Sequence, residues 1–208
     1  PTQSGQWADT DHFQVEAGER LVPQIEAEGD GDPLKPLLER FFGYPDFRPG
    51  QRSVIVNTLS HPKTVGILPT GQGKSLCYQL PALLQPGTTV VISPLRSLMR
   101  DQIAELHQMG IDRVASINSE DSALEKRFKM DRFARGAYQI LLVSPERFQV
   151  PEFRDVCGAM TQHREVHYAV VDEVHCLSEW GHDFRIAYLN LAKTLSHSFP
   201  DAHFIGLT

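Results

Sequence analysis

No stretch of the sequence approaches the roughly 20 consecutive apolar residues that a membrane-spanning helix needs. Its longest apolar runs, near residues 140–143 and 168–171, fall far short of that length, so no membrane span is expected. Cysteine is scarce. Cys77, Cys157 and Cys176 are the only three, and they form no Cys-x-x-Cys pair, which argues against a disulfide framework and a thiolate zinc site. A reducing, intracellular compartment is the expectation, cytoplasmic or nucleoid/nuclear. His163, His167, His175 and Cys176 do not fall into two close pairs, so no metal cluster is expected there. Also missing at the N-terminus, which starts at Pro1, is the basic patch and apolar stretch of a secretory signal, and export is not expected. No internal repeat or low-complexity tract interrupts the chain.

An excess of basic charge is absent too, since the formal net charge is -6. That balance excludes a generally basic nucleic-acid binder only if it is uniform along the chain, and it is not. Eight of the 26 acids lie in residues 1–33, against the single base Arg20. The remaining body holds 19 of the 20 bases and 18 of the 26 acids, and a near-neutral body can still carry a local basic groove. The same 33 residues are dotted with Gly and Pro and read as an extension or linker. A folded domain is expected over residues 34–208.

Within that body, short apolar runs alternate with longer amphipathic ones. This is the pattern of βαβ units around a mostly parallel sheet with helices on both faces. Strands are expected over 64–68, 88–93, 114–117, 139–144, 168–172 and 203–207. Helices are expected over 50–60, 74–84, 95–109, 122–134 and 186–195. Ser122-Ala-Leu-Glu125 reads as a capping box opening the fourth of these, and its basic run from Lys126 to Arg135 reads as a solvated face.

The chemistry is concentrated in a few segments. Leu68-Pro-Thr-Gly-Gln-Gly-Lys-Ser75 follows an apolar strand and precedes a helical pattern, which is the setting of a phosphate-binding P-loop. Gly71 and Gly73 let backbone N–H groups turn towards a phosphate, and the following helix adds the positive end of its dipole. Lys74 is placed to reach terminal phosphates and Ser75 to ligate Mg²⁺. Leu68 stands where the usual pattern has its first glycine. About a hundred residues on, Tyr168-Ala-Val-Val-Asp-Glu-Val-His175 is an apolar strand ending in adjacent acids. In a parallel sheet both segments gather at the carboxyl ends of strands. Asp172 is then suited to Mg²⁺ and Glu173 to deprotonating an attacking water, so ATP hydrolysis rather than binding alone is expected.

These two segments together resemble superfamily 2 helicases, and four others narrow the resemblance to the RecQ family. Phe42-Gly-Tyr-Pro-Asp-Phe-Arg-Pro-Gly-Gln51 is similar to the family's adenine-recognition motif, which implies that Tyr44 stacks on the base while Arg48 and Gln51 bond to it. Ile92-Ser-Pro-Leu-Arg-Ser-Leu-Met-Arg-Asp-Gln102 resembles motif Ia and Val143-Ser-Pro-Glu-Arg147 motif Ib, implying DNA contacts from Ser93, Arg96 and Arg147. Ser178-Glu-Trp-Gly-His-Asp-Phe-Arg185 resembles the aromatic-rich loop of RecQ enzymes. There Trp180 and Phe184 offer stacking faces for bases, with His182 and Arg185 beside them.

The resemblance implies a RecA-like lobe, with Glu173, Lys74, Asp172 and His175 as the catalytic set and Ser75 and Asp172 holding Mg²⁺. Thr70, Gly71, Gln72, Gly73, Lys74, Ser75 and Leu76 would contact ATP. Single-stranded and duplex DNA are the implied partners. Val174, Gln72 and Ile186 depart from the residues usual in the family. The terminal Gly206-Leu-Thr208 resembles the opening of motif III. A second RecA-like lobe is therefore expected beyond this chain, and the lobe alone is expected to turn over ATP weakly at best.

Overall fold

The computed structural model describes residues 31–161, 165–174 and 191–208. Its elements are α1 (Leu34–Phe42), α2 (Gln51–Ser60), β1 (Lys63–Gly66), α3 (Leu76–Leu84), β2 (Thr88–Ile92), α4 (Arg96–Gln108) and β3 (Val114–Ile117). Then follow α5 (Ala123–Ala134), β4 (Ile140–Val143), a 3-10 turn (Pro145–Gln149), α6 (Pro151–Thr161), β5 (Val166–Val171), α7 (Leu191–Ser198) and β6 (His203–Leu207).

The six strands form one sheet in the order β1-β6-β5-β2-β4-β3. Every pairing is parallel. Every residue of β2 and β4 is buried, because helices cover both faces and a strand enclosed on both sides has no solvent face to leave polar. Alternate residues divide between two cores. Val91, Leu142 and Val170 join α1 to α4 on one face. Val90, Ile92, Leu141, Val143 and Ala169 join Phe133 of α5, Phe153 and Cys157 of α6, and Leu191 of α7 on the other.

All six expected strands are present and the doubly covered α/β architecture is as the sequence implies. Two helices were not anticipated. In α1, Pro36 falls in the first turn, where its missing N–H is not required. In α6, Pro151 occupies the first helical position, which its fixed φ suits. Proline obscured both patterns from the sequence side. The expected helix over 74–84 begins at Leu76, because Lys74 and Ser75 remain in the turn of the P-loop. The capping box on Ser122 forms in both directions, with Glu125 N–H donating to Ser122 Oγ and Ser122 N–H donating to Glu125 Oε2. Asp32 fastens the start of the body to Arg52 at 2.6 Å.

Cys77 and Cys157 are free and buried, and burial pushes both thiols up to about 12, which makes them unreactive. Among the described residues no helix is long and apolar enough to cross a membrane.

Candidate active site

The P-loop leaves the sheet beside the chain's last residue. Thr208 N–H donates to Gly66 C=O at 3.0 Å and Leu68 N–H donates to Thr208 C=O at 2.9 Å. The departure at Leu68 has a packing reason: its side chain turns into the core, so close to α2 that a β-carbon on Gly50 would stand 2.6 Å from it. Gly71 and Gly73 adopt left-handed backbone, with φ of 79 and 67, which side chains with a β-carbon rarely take. Thr70 is exposed in the turn ahead of them.

The acid box lies across the sheet's rim. Asp172 N–H donates to Ile92 C=O of β2 at 2.8 Å, and Val174 N–H donates to Leu207 C=O of β6 at 2.9 Å, so both neighbouring strands grip it. Between them Glu173 is, among the described residues, the one non-glycine with positive φ, at 53. Strain of this kind persists where surrounding bonds enforce it, and here Asp172 Oδ1 accepts from Glu173 N–H at 3.0 Å. The result is a direct contact between the two segments, Lys74 Nζ donating to Glu173 Oε2 at 3.0 Å with both side chains largely buried. His175 lies outside the described residues.

A cavity of about 380 Å³ opens beside this contact, lined by Gly71, Gly73, Ser75 and Leu76 from the P-loop side and by Phe42, Tyr44, Arg48, Gln51, Gln79 and Glu105 around them. Tyr44 is half exposed and stacks on Phe42, with ring centroids 6.4 Å apart and planes at 11°. Partial burial, and then the charge and hydrogen bond of Glu105, raise its hydroxyl above the ordinary value. The polar groups of segment 42–51 face the P-loop backbone. Arg48 Nη1 donates to Gly71 C=O at 2.6 Å, and Gln51 Nε2 donates to the carbonyls of Gln72 and Gly73 at 2.7 and 3.0 Å. Gln51 Oε1 accepts from Arg48 N–H at 2.8 Å.

The sequence matches the DEAD/DEAH box helicase family over residues 48–208. The chain belongs to that family. It is 45% identical over 156 residues to the ATP-dependent DNA helicase RecQ of Bacillus subtilis (strain 168), covering 74% of this chain and 26% of that protein. It is 41% identical over 167 residues to the probable ATP-dependent DNA helicase RecS of the same strain, covering 79% and 32%. The chain thus spans about a quarter to a third of the length of these relatives. The DUF1998 helicase MrfA, solved bound to DNA and AMPPNP, shares the fold with a TM-score of 0.64 at 22% identity, over 84% of this chain and 25% of that one. The chain has a RecA-like fold and is similar to RecQ-type DNA helicases over most of its own length.

In this helicase lobe the segments that follow β2 and β4 leave the sheet at the same rim as the acid box after β5. β2 and β4 pair in register through Ile92 and Val143, so Ser93-Pro94 and Ser144-Pro145 leave adjacent strand ends. Ser93 N–H donates to Val143 C=O at 3.0 Å. The Ser93 and Ser144 hydroxyls are buried without hydrogen-bond partners, as is Arg147 Nε. Arg96 is exposed and binds Ser119 Oγ at 2.9 Å and Glu120 at 3.6 Å. Trp180, His182, Phe184 and Arg185 lie outside the described residues.

Sequence reasoning missed five residues of the helicase cavity: Phe42, Pro45, Asp46, Gln79 and Glu105. For Gln79 a signal existed. It is the side-chain amide within a helix all of whose residues are buried. Its neighbour Tyr78 is also fully buried and donates to Gln102 of α4. Burial, then the charge of Asp172, push the Tyr78 hydroxyl well above its ordinary value, with a smaller opposing pull from the Gln79 amide.

Proposed function

We propose that this lobe binds ATP with Mg²⁺ and hydrolyses it to drive movement along single-stranded DNA and separation of the duplex. The observation that carries the reading is the Lys74–Glu173 contact at 3.0 Å, between residues 99 positions apart. A triphosphate entering at that contact meets a cation on one side and two carboxylates on the other.

The donors present fit a magnesium ion. Ser75 lines the cavity and the Asp172 carboxylate is buried and held by the Glu173 N–H; a hydroxyl and a carboxylate are hard oxygen donors of the kind Mg²⁺ takes. Those two residues would hold it, and when bound the ion neutralises charge on the transferring phosphoryl group. The chain's own groups do the rest. N–H groups of the P-loop and the start of α3 cradle the phosphates. Lys74 leaves Glu173 for the terminal phosphates, and the freed Glu173 carboxylate takes a proton from the attacking water. Tyr44 offers its ring to the base, with Arg48 and Gln51 bordering it.

On the strand side, Ser93, Arg96 and Arg147 meet the DNA backbone, and Trp180 and Phe184 supply stacking faces worth about 1 to 3 kcal/mol per base, with His182 and Arg185 adding polar contacts. Rapid turnover needs a finger arginine from a second lobe, a group worth about 10³ to 10⁵ in rate, so movement and unwinding belong to the intact protein.

The test is ATP hydrolysis by the intact protein with single-stranded DNA or RNA of matched length. DNA should stimulate the more strongly, and Trp180→Ala should abolish that stimulation while leaving ATP affinity nearly intact. Equal or stronger stimulation by RNA would argue for an RNA remodeller instead.

A further inference from the structure

α5 carries two large apolar side chains on the side that faces away from the core. Phe133 is fully buried and Met130 packs against the same core, which sets the inward side of the helix. Leu124 and Phe128, one turn apart, lie on the outward side and are 78% and 60% exposed. Residues four apart on a helix are surface neighbours, so the two form one apolar patch.

Cations flank that patch. The Arg132 guanidinium sits over the Phe128 ring at 5.8 Å and the Tyr138 ring at 5.6 Å, and Arg127 is exposed one turn on from Leu124. Neither arginine has a carboxylate partner among the described residues. Other charges of the helix are engaged: Glu125 in the cap, Lys129 with Asp121, and Arg135 with Asp131. The face is complementary to a segment that is at once apolar and negatively charged.

Such a segment stands in the same chain. Residues 1–30 hold seven acids against the single base Arg20, with Phe13, Val15, Leu21 and Ile25 set among Glu16, Glu19 and Glu26. They precede the helicase match, which begins at residue 48.

We propose that residues 1–30 dock in cis on this face of α5, their carboxylates pairing with Arg127 and Arg132 and their apolar side chains covering Leu124 and Phe128. Reach is sufficient, since about 30 residues extend to about 100 Å, against a breadth of about 40 Å for a folded body of this size. Surface ion pairs are individually weak, but a tethered segment meets its site at a millimolar effective concentration, so a weak contact is occupied. A nucleic-acid strand would satisfy the arginines and leave Leu124 uncovered, because leucine offers no face for a base to stack on.

The test uses the 208-residue chain carrying Arg127→Lys, which keeps the charge and supplies an amine that carbodiimide joins to a touching carboxylate without a spacer. Peptide mass spectrometry of the monomer should find position 127 joined to acids between Asp9 and Asp30. The yield should fall severalfold when Leu124→Ser and Phe128→Ser are added, and again in about 1 M salt, where charges are screened beyond about 3 Å. Both serines replace exposed side chains, so the urea midpoint should not move, and the lost yield then reports lost docking. Absence of these products, or a yield indifferent to the two serines, overturns the proposal. Products found only between isotopically light and heavy chains mixed in equal amounts would overturn it in favour of a second copy. Absence of products together with protection of α5 by single-stranded DNA, removed by Arg127→Glu, would assign the face to nucleic acid instead.

Discussion

Replacing Glu173 with Gln should tighten ATP binding while stopping hydrolysis. In the free lobe the Lys74 ammonium is committed to Glu173 at 3.0 Å, with side-chain exposures of 13% and 15%. A triphosphate has to take Lys74 from that carboxylate. A hydrogen bond between charged groups, net of their hydration, is worth about 1.5 to 3 kcal/mol, and Glu173→Gln lowers much of that competition. It also removes a negative charge that faces the phosphates, which acts in the same direction. Recovering about 1.4 kcal/mol corresponds to a tenfold lower Kd. Because the pair is largely buried, the gain should survive added salt better than a surface ion pair would. Calorimetric titration of Mg²⁺·ATP into the parent chain and the variant, at low and high salt, gives the ratio directly. Equal or weaker binding by Glu173→Gln would show that the Lys74–Glu173 contact does not compete with nucleotide.

Acid should destabilise the lobe through His167. Burial, and then the charge of His203, lower this imidazole from 6.5 to about 4 in the folded state, whereas the unfolded chain binds the proton at the ordinary value. Stability is therefore full above about pH 6.5 and declines as pH falls towards 4, by at most about 3 kcal/mol. Urea midpoints of the parent and His167→Phe at pH 7.5 and 5 should diverge, the variant losing less. Beside the edge strand β3, Ser122→Ala should cost about 1 kcal/mol by removing the cap on α5. Urea denaturation reads this, and ATP affinity should not change.

The fold was legible where one residue's neighbours in sequence decide its environment. β4 is a continuous apolar run because it is covered on both faces, and Gly71, Gly73 and Lys74 announce a phosphate loop by their spacing between an apolar strand and a helical pattern. The limits were equally physical. Pro36 and Pro151 are tolerated only because each sits in a first helical turn, a position that must be known before the proline can be excused. The bonds of Gln51 go to P-loop carbonyls more than 20 positions away, and backbone carbonyls carry no sequence signature. Glu105 reaches the cavity from α4 through Tyr44, 61 positions distant. Lys74 and Glu173 were expected at one rim from strand order, yet their direct contact could be read only from coordinates.

The central claim is that the P-loop and the acid box together grip one magnesium-bound triphosphate. Calorimetric titration of ATP into the free chain and into Lys74→Ala, each with Mg²⁺ and with EDTA, tests it most directly. One saturable site that needs Mg²⁺ and is lost in Lys74→Ala is the predicted result. Binding of equal strength in the parent and Lys74→Ala, or indifference to the ion, would contradict it.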